Sequence, residues 1–139
     1  MRLIVLISLA AIGCGKAPTV PVSGRVTLDG QPLEGASVLF QPVVADANAD
    51  GFGSVGQTDA DGRFELKAIG LPHRGAIPGS HRVYISKPLY PPNGEYVADI
   101  PNAIPDEYHT GDGIAFEVPS DGTIEAAFDL VSPKRVRRK

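Results

Sequence analysis

The chain is poor in the residues that usually build catalytic and covalent sites. It has one cysteine, three histidines and no tryptophan among its 139 residues. A single cysteine cannot form an intramolecular disulfide, so a domain of this size depends on its hydrophobic core. The histidines, His73, His81 and His109, lie far apart, and none belongs to an H-E-x-x-H zinc pair. No G-x-S-x-G nucleophile motif is present either. We therefore expect a protein that is not an enzyme and needs no cofactor.

The chain also lacks an apolar run of the roughly 20 residues that a transmembrane helix needs. Its first run, Leu3–Ile12, follows Arg2 and ends at Gly13-Cys14. A basic residue, a short apolar stretch and a small residue at the end form the layout of a secretory signal peptide. A buried core helix is the alternative, but the glycines and prolines that follow the run are typical of a loop.

The residues Ala11-Ile12-Gly13-Cys14 resemble the lipobox of bacterial lipoproteins. In that family the cysteine carries a thioether-linked diacylglycerol and becomes the first residue after cleavage. The resemblance implies a signal peptide over residues 1–13, lipidation at Cys14 and a membrane anchor; an ordinary secretory signal is the alternative. Each buried methylene contributes about 0.8 kcal/mol, so two acyl chains would anchor the protein stably. Gly15, in place of an inner-membrane retention Asp, favours the outer membrane or its periplasmic face.

Positive charge is scarce in the body of the chain. Residues 17–133 contain all 16 acidic residues but only six of the 13 basic ones. Five basic residues stand together in the stretch Lys134–Lys139. An acidic body argues against nucleic-acid binding, and we expect the membrane, an envelope protein or a polysaccharide as partner instead. The basic stretch is expected to bind anionic lipid, another polyanion or the acidic body of a neighbouring molecule, or to remain solvated.

The body of the chain contains short runs in which apolar and polar residues alternate. Turns rich in glycine and proline separate these runs. Seven runs show a period of two: Val22–Leu28, Ala36–Gln41, Ser54–Thr58, Arg63–Lys67, His81–Lys87, Ile114–Val118 and Ile124–Leu130. No window shows helical spacing. The tight-turn signal Asp59-Ala60-Asp61-Gly62 predicts a hairpin between the third and fourth runs. The pattern predicts an all-β antiparallel sandwich over residues 22–131, with a tether over 14–21 and a basic tail over 132–139. The predicted core comprises Val26, Leu28, Val38, Phe40, Phe64, Leu66, Val83, Ile85, Phe116, Val118, Ile124, Phe128 and Leu130.

Four segments of these strands and turns resemble carboxypeptidase regulatory-like (transthyretin-like) domains. They are Val22–Ala36, Thr58–Phe64, Gly75–Gly79 and Ile104–Tyr108. The resemblance implies a seven-stranded Greek-key β-sandwich, transthyretin-like or Ig-like, which is noncatalytic where it is attached to peptidases. The turn glycines Gly30, Gly35, Gly62 and Gly79 are predicted to adopt positive φ.

An acidic loop is a candidate metal site. Asp46, Asn48 and Asp50 precede Gly51 in the order D-x-N-x-D-G, the first half of a calcium loop. The twelfth position of that loop is Gln57 instead of the bidentate Glu of the full motif. The alternative is an acidic surface loop that binds no metal.

A proline-rich segment from Pro88 to Pro105 carries the candidate ligand-binding residues Tyr90 and Tyr96. Their rings could form a modest platform for a sugar. The alternative is that the tyrosines cap the open end of the sandwich, as Tyr108 is expected to do. The sequence thus favours a membrane-anchored, noncatalytic envelope lipoprotein with a binding or structural sandwich. A carbohydrate-binding module and a calcium-stabilised adhesion domain are the alternatives.

Overall fold

The computed structural model describes residues 19–43, 51–96, 98 and 102–132. Within these residues the chain forms two β-sheets that pack face to face, which confirms the predicted all-β sandwich. The strands are β1 (Val22–Leu28), β2 (Gln31–Pro32), β3 (Ser37–Pro42), β4 (Ser54–Gln57), β5 (Arg63–Glu65), β6 (Lys67–Ala68), β7 (Gly79–Ser86), β8 (Ile114–Val118) and β9 (Thr123–Leu130). A short 3-10 helix, Asp106–Tyr108, precedes β8.

The two sheets differ in the direction of their strands. One has the order β6-β4-β3-β7-β8, and every pairing in it is antiparallel. In the other, β1 pairs antiparallel with β2 and β5 on one side. On its other side β1 pairs parallel with β9, in a register that joins Val26 to Phe128 and Leu28 to Leu130. This parallel pair departs from the expected all-antiparallel arrangement.

The run predicted as one strand over Arg63–Lys67 is divided between the two sheets. Its first part, β5, pairs with β1, whereas its second part, β6, pairs with β4 in the opposite sheet. Leu66 lies between the two parts and is fully buried. Its N–H donates to the Val22 carbonyl oxygen at 3.0 Å. This hydrogen bond fixes the point where the chain crosses from one sheet to the other. The expected hairpin between β4 and β5 is therefore replaced by a connection from one sheet to the other.

The turn before β5 forms as predicted. The Asp59 carboxylate accepts hydrogen bonds from the backbone N–H groups of Asp61 and Arg63, both at 2.9 Å. Gly62 has a φ of 74°, which glycine adopts without the steric cost of a Cβ. The other three glycines predicted to take positive φ also do so.

Phe40 occupies the centre of the core. Its ring contacts those of Phe64, Phe116 and Phe128 at centroid distances of 6.4, 5.4 and 6.0 Å. Of the predicted core, ten residues are buried, and Leu28 and Phe116 are partly buried against them. Buried positions that were not predicted are Val22, Leu33, Ala36, Ala68, Ala76, Ile104 and Ala126.

Ile124 was predicted in the core, and this prediction is wrong, because its side chain is 76% exposed. Val22 pairs with Thr123 but Gly24 pairs with Ala126, so β9 holds one extra residue over this step. Such a bulge shifts the alternation of faces along the strand. Ile124 therefore points outward, and Ala126 takes up the buried position.

The parallel pair gives the sandwich two distinct ends. The Val22 pole comprises residues 19–22 and the turn at 119–123. There the N–H of Thr123 donates to the Pro21 carbonyl at 2.9 Å. The Asp29 pole comprises residues 28–30 and 130–132, together with the two ends of the proline-rich segment. The chain thus begins β1 and β9 at one pole and leaves both strands at the other.

Candidate binding surfaces

Several predicted site residues lie outside the described residues. Cys14, the expected lipidation site, belongs to this group. The calcium candidates Asp46, Asn48 and Asp50 belong to it as well. These assignments remain predictions.

The two candidate tyrosines of the proline-rich segment are strongly exposed. Tyr90 is 69% exposed and Tyr96 is 91% exposed, and the neighbouring Leu89 is 49% exposed. Neither tyrosine ring takes part in an aromatic contact among the described residues. The two rings therefore do not cap the sandwich and remain accessible to a ligand.

Asn102 closes the base of this segment. Its side-chain oxygen accepts hydrogen bonds from the N–H groups of Lys87 at 2.9 Å and Ile104 at 3.1 Å. The N–H of Ala103 donates to the Lys87 carbonyl at 3.0 Å. The two ends of the segment are thus held together beside the Asp29 pole. No sequence pattern indicates this role for Asn102, because a lone asparagine in a proline-rich segment has many possible partners.

Tyr108 behaves as expected for a capping residue. Its ring packs against the hydrophobic core. Its hydroxyl accepts a hydrogen bond from the N–H of Val131 at 3.1 Å. An aromatic ring buried on one side with a hydrogen-bonded hydroxyl is the usual arrangement for a partly buried tyrosine. Tyr108 therefore has a structural role at the Asp29 pole.

A polar groove of about 800 Å³ lies where β4 and β5 face each other from opposite sheets. It is lined by Ser23, Ser37, Val55, Gly56, Gln57, Asp59, Arg63, Phe64, Glu65 and Lys67. β4 pairs with β6 only at Ser54 and Val55, so the rest of its outer edge faces the groove. Sequence reasoning missed this groove, because it expected β4 and β5 to pair as a hairpin.

Charged side chains of both signs line the groove. Arg63, Glu65 and Lys67 place charges of alternating sign along it. Arg74 forms an ion pair with Glu65 at 3.1 Å, but both side chains are exposed, so the pair adds little stability. Phe64 is buried and presents no open ring face. The groove could accept the hydroxyl groups of a sugar or the backbone of an extended peptide.

The three histidines lie in different environments. His81 is buried, its Nδ1 donates to the Gly79 carbonyl at 2.9 Å, and its ring packs 5.7 Å from that of Phe40. His109 Nε2 lies 3.4 Å from a carboxylate oxygen of Asp106. His73 lies in the turn after β6, where its carbonyl oxygen accepts from the N–H of Ala68. In the part of the chain that the structure describes, no three metal-ligating side chains come together.

Asp29 fastens the end of β9 to the β1–β2 turn. Its carboxylate accepts a hydrogen bond from the N–H of Ser132 at 2.9 Å and a second from the Ser132 hydroxyl. Hydrogen bonds to the charged form favour ionisation, so Ser132 lowers the pKa of the Asp29 carboxyl group. This pair holds Ser132 at the Asp29 pole.

Among the described residues no helix is long and apolar enough to span a membrane.

Comparisons with known proteins identify no family for this chain. No family model matches the chain, and no curated protein matches it. A 9R-lipoxygenase from Cyanothece PCC8801 resembles it with a TM-score of 0.38 and 16% sequence identity. The match covers 84% of this chain but 17% of the lipoxygenase chain. A likeness this low supports no inference about activity.

Proposed function

We propose that the protein is a noncatalytic lipoprotein of the bacterial envelope, anchored through Cys14, whose sandwich serves in binding or in structure. The lipobox-like sequence Ala11-Ile12-Gly13-Cys14 is the observation that carries the proposal. The anchor would lie in the outer membrane or at its periplasmic face. The partner would be an envelope protein or a polysaccharide.

The short distance between Cys14 and the sandwich supports this proposal. The described structure begins at Thr19, whose hydroxyl donates to the Arg74 carbonyl at 2.8 Å. Val20 exchanges two backbone hydrogen bonds with Ala76, at 2.9 and 3.0 Å. Residues 15–18 remain as the link and span at most about 18 Å between Cys14 and Thr19. A lipid on Cys14 would therefore hold the whole sandwich close to the membrane surface.

The proposal is tested by changing the cysteine in cells. Cys14→Ser should abolish incorporation of labelled palmitate and should release the protein from membranes or leave its signal uncleaved. Ser8→Ala, within the same apolar run, serves as the matched control and should be lipidated normally. Palmitate incorporation into the Cys14→Ser protein at the level of the unchanged chain, or its absence from the unchanged chain, would refute the anchor.

A carbohydrate-binding module is the second candidate, and the exposure of Tyr90 and Tyr96 favours it. Exposed tyrosine rings can stack on sugar faces, and the polar groove offers hydrogen-bonding groups on the same domain. Pulldown with cell-wall polysaccharides should then fall severalfold in Tyr90→Ala and Tyr96→Ala. Val43→Ala, at the opposite end of the sandwich and 53% exposed, is the control. Unchanged binding in both tyrosine variants would exclude this candidate.

A further inference from the structure

The parallel pairing of β1 with β9 determines how an anchored sandwich is oriented. Both strands begin at the Val22 pole and end at the Asp29 pole. Residue 19, which follows the link to Cys14, is held at the first pole through Thr19 and Arg74. Residue 132, which precedes the basic stretch, is held at the second pole by Asp29. Residues 19 and 132 therefore lie at opposite poles of the domain.

We infer that the sandwich is presented with its Val22 pole towards the membrane and its Asp29 pole away from it. This inference rests on the proposed lipid anchor at Cys14. The outward pole carries the two ends of the proline-rich segment, which meet at Pro88 and Asn102. The described chain ends there too, at Ser132, so the chain enters the basic stretch Lys134–Lys139 from the pole that is farther from the anchoring membrane.

The distances support this separation. β1 contains seven residues, which corresponds to a length of about 20 Å at 3.3 Å per residue. Electrostatic attraction to anionic lipid is screened over about 8 Å at physiological ionic strength. The seven residues from Pro133 to Lys139 can span at most about 25 Å. They could reach the anchoring membrane only if they ran back along the whole sandwich in nearly full extension.

The absence of tryptophan from the chain makes the orientation measurable. Ile124 and Val131 are both exposed, at 76% and 61%, and stand near opposite ends of β9. Single variants Ile124→Trp and Val131→Trp place one fluorescent donor at each pole, about 20 Å apart. Energy transfer to a dansyl label on lipid head groups then reports the distance of each pole from the vesicle surface.

The lipidated protein in phosphatidylcholine vesicles should show severalfold greater transfer from Ile124→Trp than from Val131→Trp. Adding phosphatidylglycerol should leave the Val131→Trp signal unchanged, because the basic stretch does not bind the same surface. Equal transfer from both positions would overturn the orientation. So would a rise for Val131→Trp in phosphatidylglycerol that disappears when the five basic residues of the stretch are replaced by Gln.

A second preparation separates this inference from the proposed function. The same two tryptophan variants, with Cys14 coupled chemically to a maleimide lipid, test the orientation even if cells do not lipidate the cysteine. Absence of palmitate on the cellular protein would refute the anchor alone. Equal transfer from the two poles of the chemically anchored protein would refute the orientation alone.

Discussion

Substitution of Gly24 should lower the free energy of unfolding more than substitution at an ordinary strand position would. Gly24 pairs with Ala126 at the bulge between β1 and β9, and its φ is not in the positive range that favours glycine. A Cβ on residue 24 would overlap the carbonyl oxygen of Ala126 and lie 2.6 Å from its carbonyl carbon and 2.9 Å from its Cα. Backbone atoms cannot rotate away as a side chain can. The two strands must therefore separate.

The size of the effect follows from the contacts that such a separation breaks. Ordinary van der Waals contact begins at 3.4 Å, so β1 and β9 must move apart locally by about 1.5 Å to clear the carbonyl oxygen of Ala126. A shift of that size removes two or three backbone hydrogen bonds, each with a net value of about 1 kcal/mol. We expect Gly24→Ala to lower the free energy of unfolding by about 2–4 kcal/mol, a large part of the stability of a typical domain.

Thermal and urea unfolding followed by circular dichroism would measure this loss, which corresponds to a fall in Tm of about 8–16 °C. Gly94→Ala is the matched control, because Gly94 has a φ of 70° but no atom within 4 Å of the added Cβ. That variant carries only the conformational cost, about 1 kcal/mol. A loss in Gly24→Ala no greater than that in Gly94→Ala would refute the close approach of β1 to β9.

Three further predictions concern the bulge, the Asp29 pole and the acidic loop. Ile124→Ala should change the free energy of unfolding by less than about 0.5 kcal/mol, because its side chain is exposed. Phe128→Ala, on the buried face of the same strand, should lower it by about 3–5 kcal/mol in urea unfolding. Equal losses in the two variants would contradict the bulge. Ser132 lowers the pKa of the Asp29 carboxyl group below its ordinary value of 3.8. The ionised carboxylate therefore stabilises the fold fully above pH 3.8, and this stabilisation is lost as the pH falls through the folded-state pKa. The Tm difference between the unchanged chain and Asp29→Asn should therefore shrink below that value; a difference independent of pH would argue against the Ser132 contact. Calcium should raise the Tm if residues 46–50 bind it, and an unchanged Tm in excess calcium would exclude that site.

The alternation of residue types predicted most strands correctly for a physical reason. A strand with one buried face must alternate apolar and polar residues, so the pattern identifies where strands lie. The run Val22–Leu28 and the run Ile114–Val118 have the predicted bounds. The pattern carries no information about which strand lies alongside another. The parallel partner of β1 and the outward turn of Ile124 at the bulge were therefore not predictable from it.

The candidate surfaces were less predictable than the core. The choice between capping and exposure for the tyrosines depends on contacts with distant segments. Tyr108 receives a hydrogen bond from Val131, 23 residues further along the chain, whereas Tyr96 remains 91% exposed. Tyr108 was expected to cap the sandwich, but nothing in the immediate neighbours of Tyr90 and Tyr96 decides between capping and exposure. Sequence patterns locate a buried face well but do not locate a ligand-binding surface.

The groove between β4 and β5 results from the same crossing that closes the sandwich. Because the chain leaves one sheet at Leu66 and enters the other at β6, β5 keeps an outer edge that pairs with no strand among the described residues. Unpaired edges invite association with other chains, and charged residues are the usual protection against it. Arg63 and Glu65 on this edge, and Lys67 of β6 across the groove, fit that protective role as well as a binding role.

The two roles of the charged edge predict opposite outcomes for one variant. If the charges only protect the edge, replacing Lys67 and Arg63 together by neutral Gln should increase aggregation and leave polysaccharide binding unchanged. If the groove binds a ligand, the same variant should lose binding while it remains monomeric. Size-exclusion chromatography combined with polysaccharide pulldown separates the two, with Arg82→Gln, on a strand away from the groove, as the control. A variant that stays monomeric and binds normally would show that the edge needs neither charge.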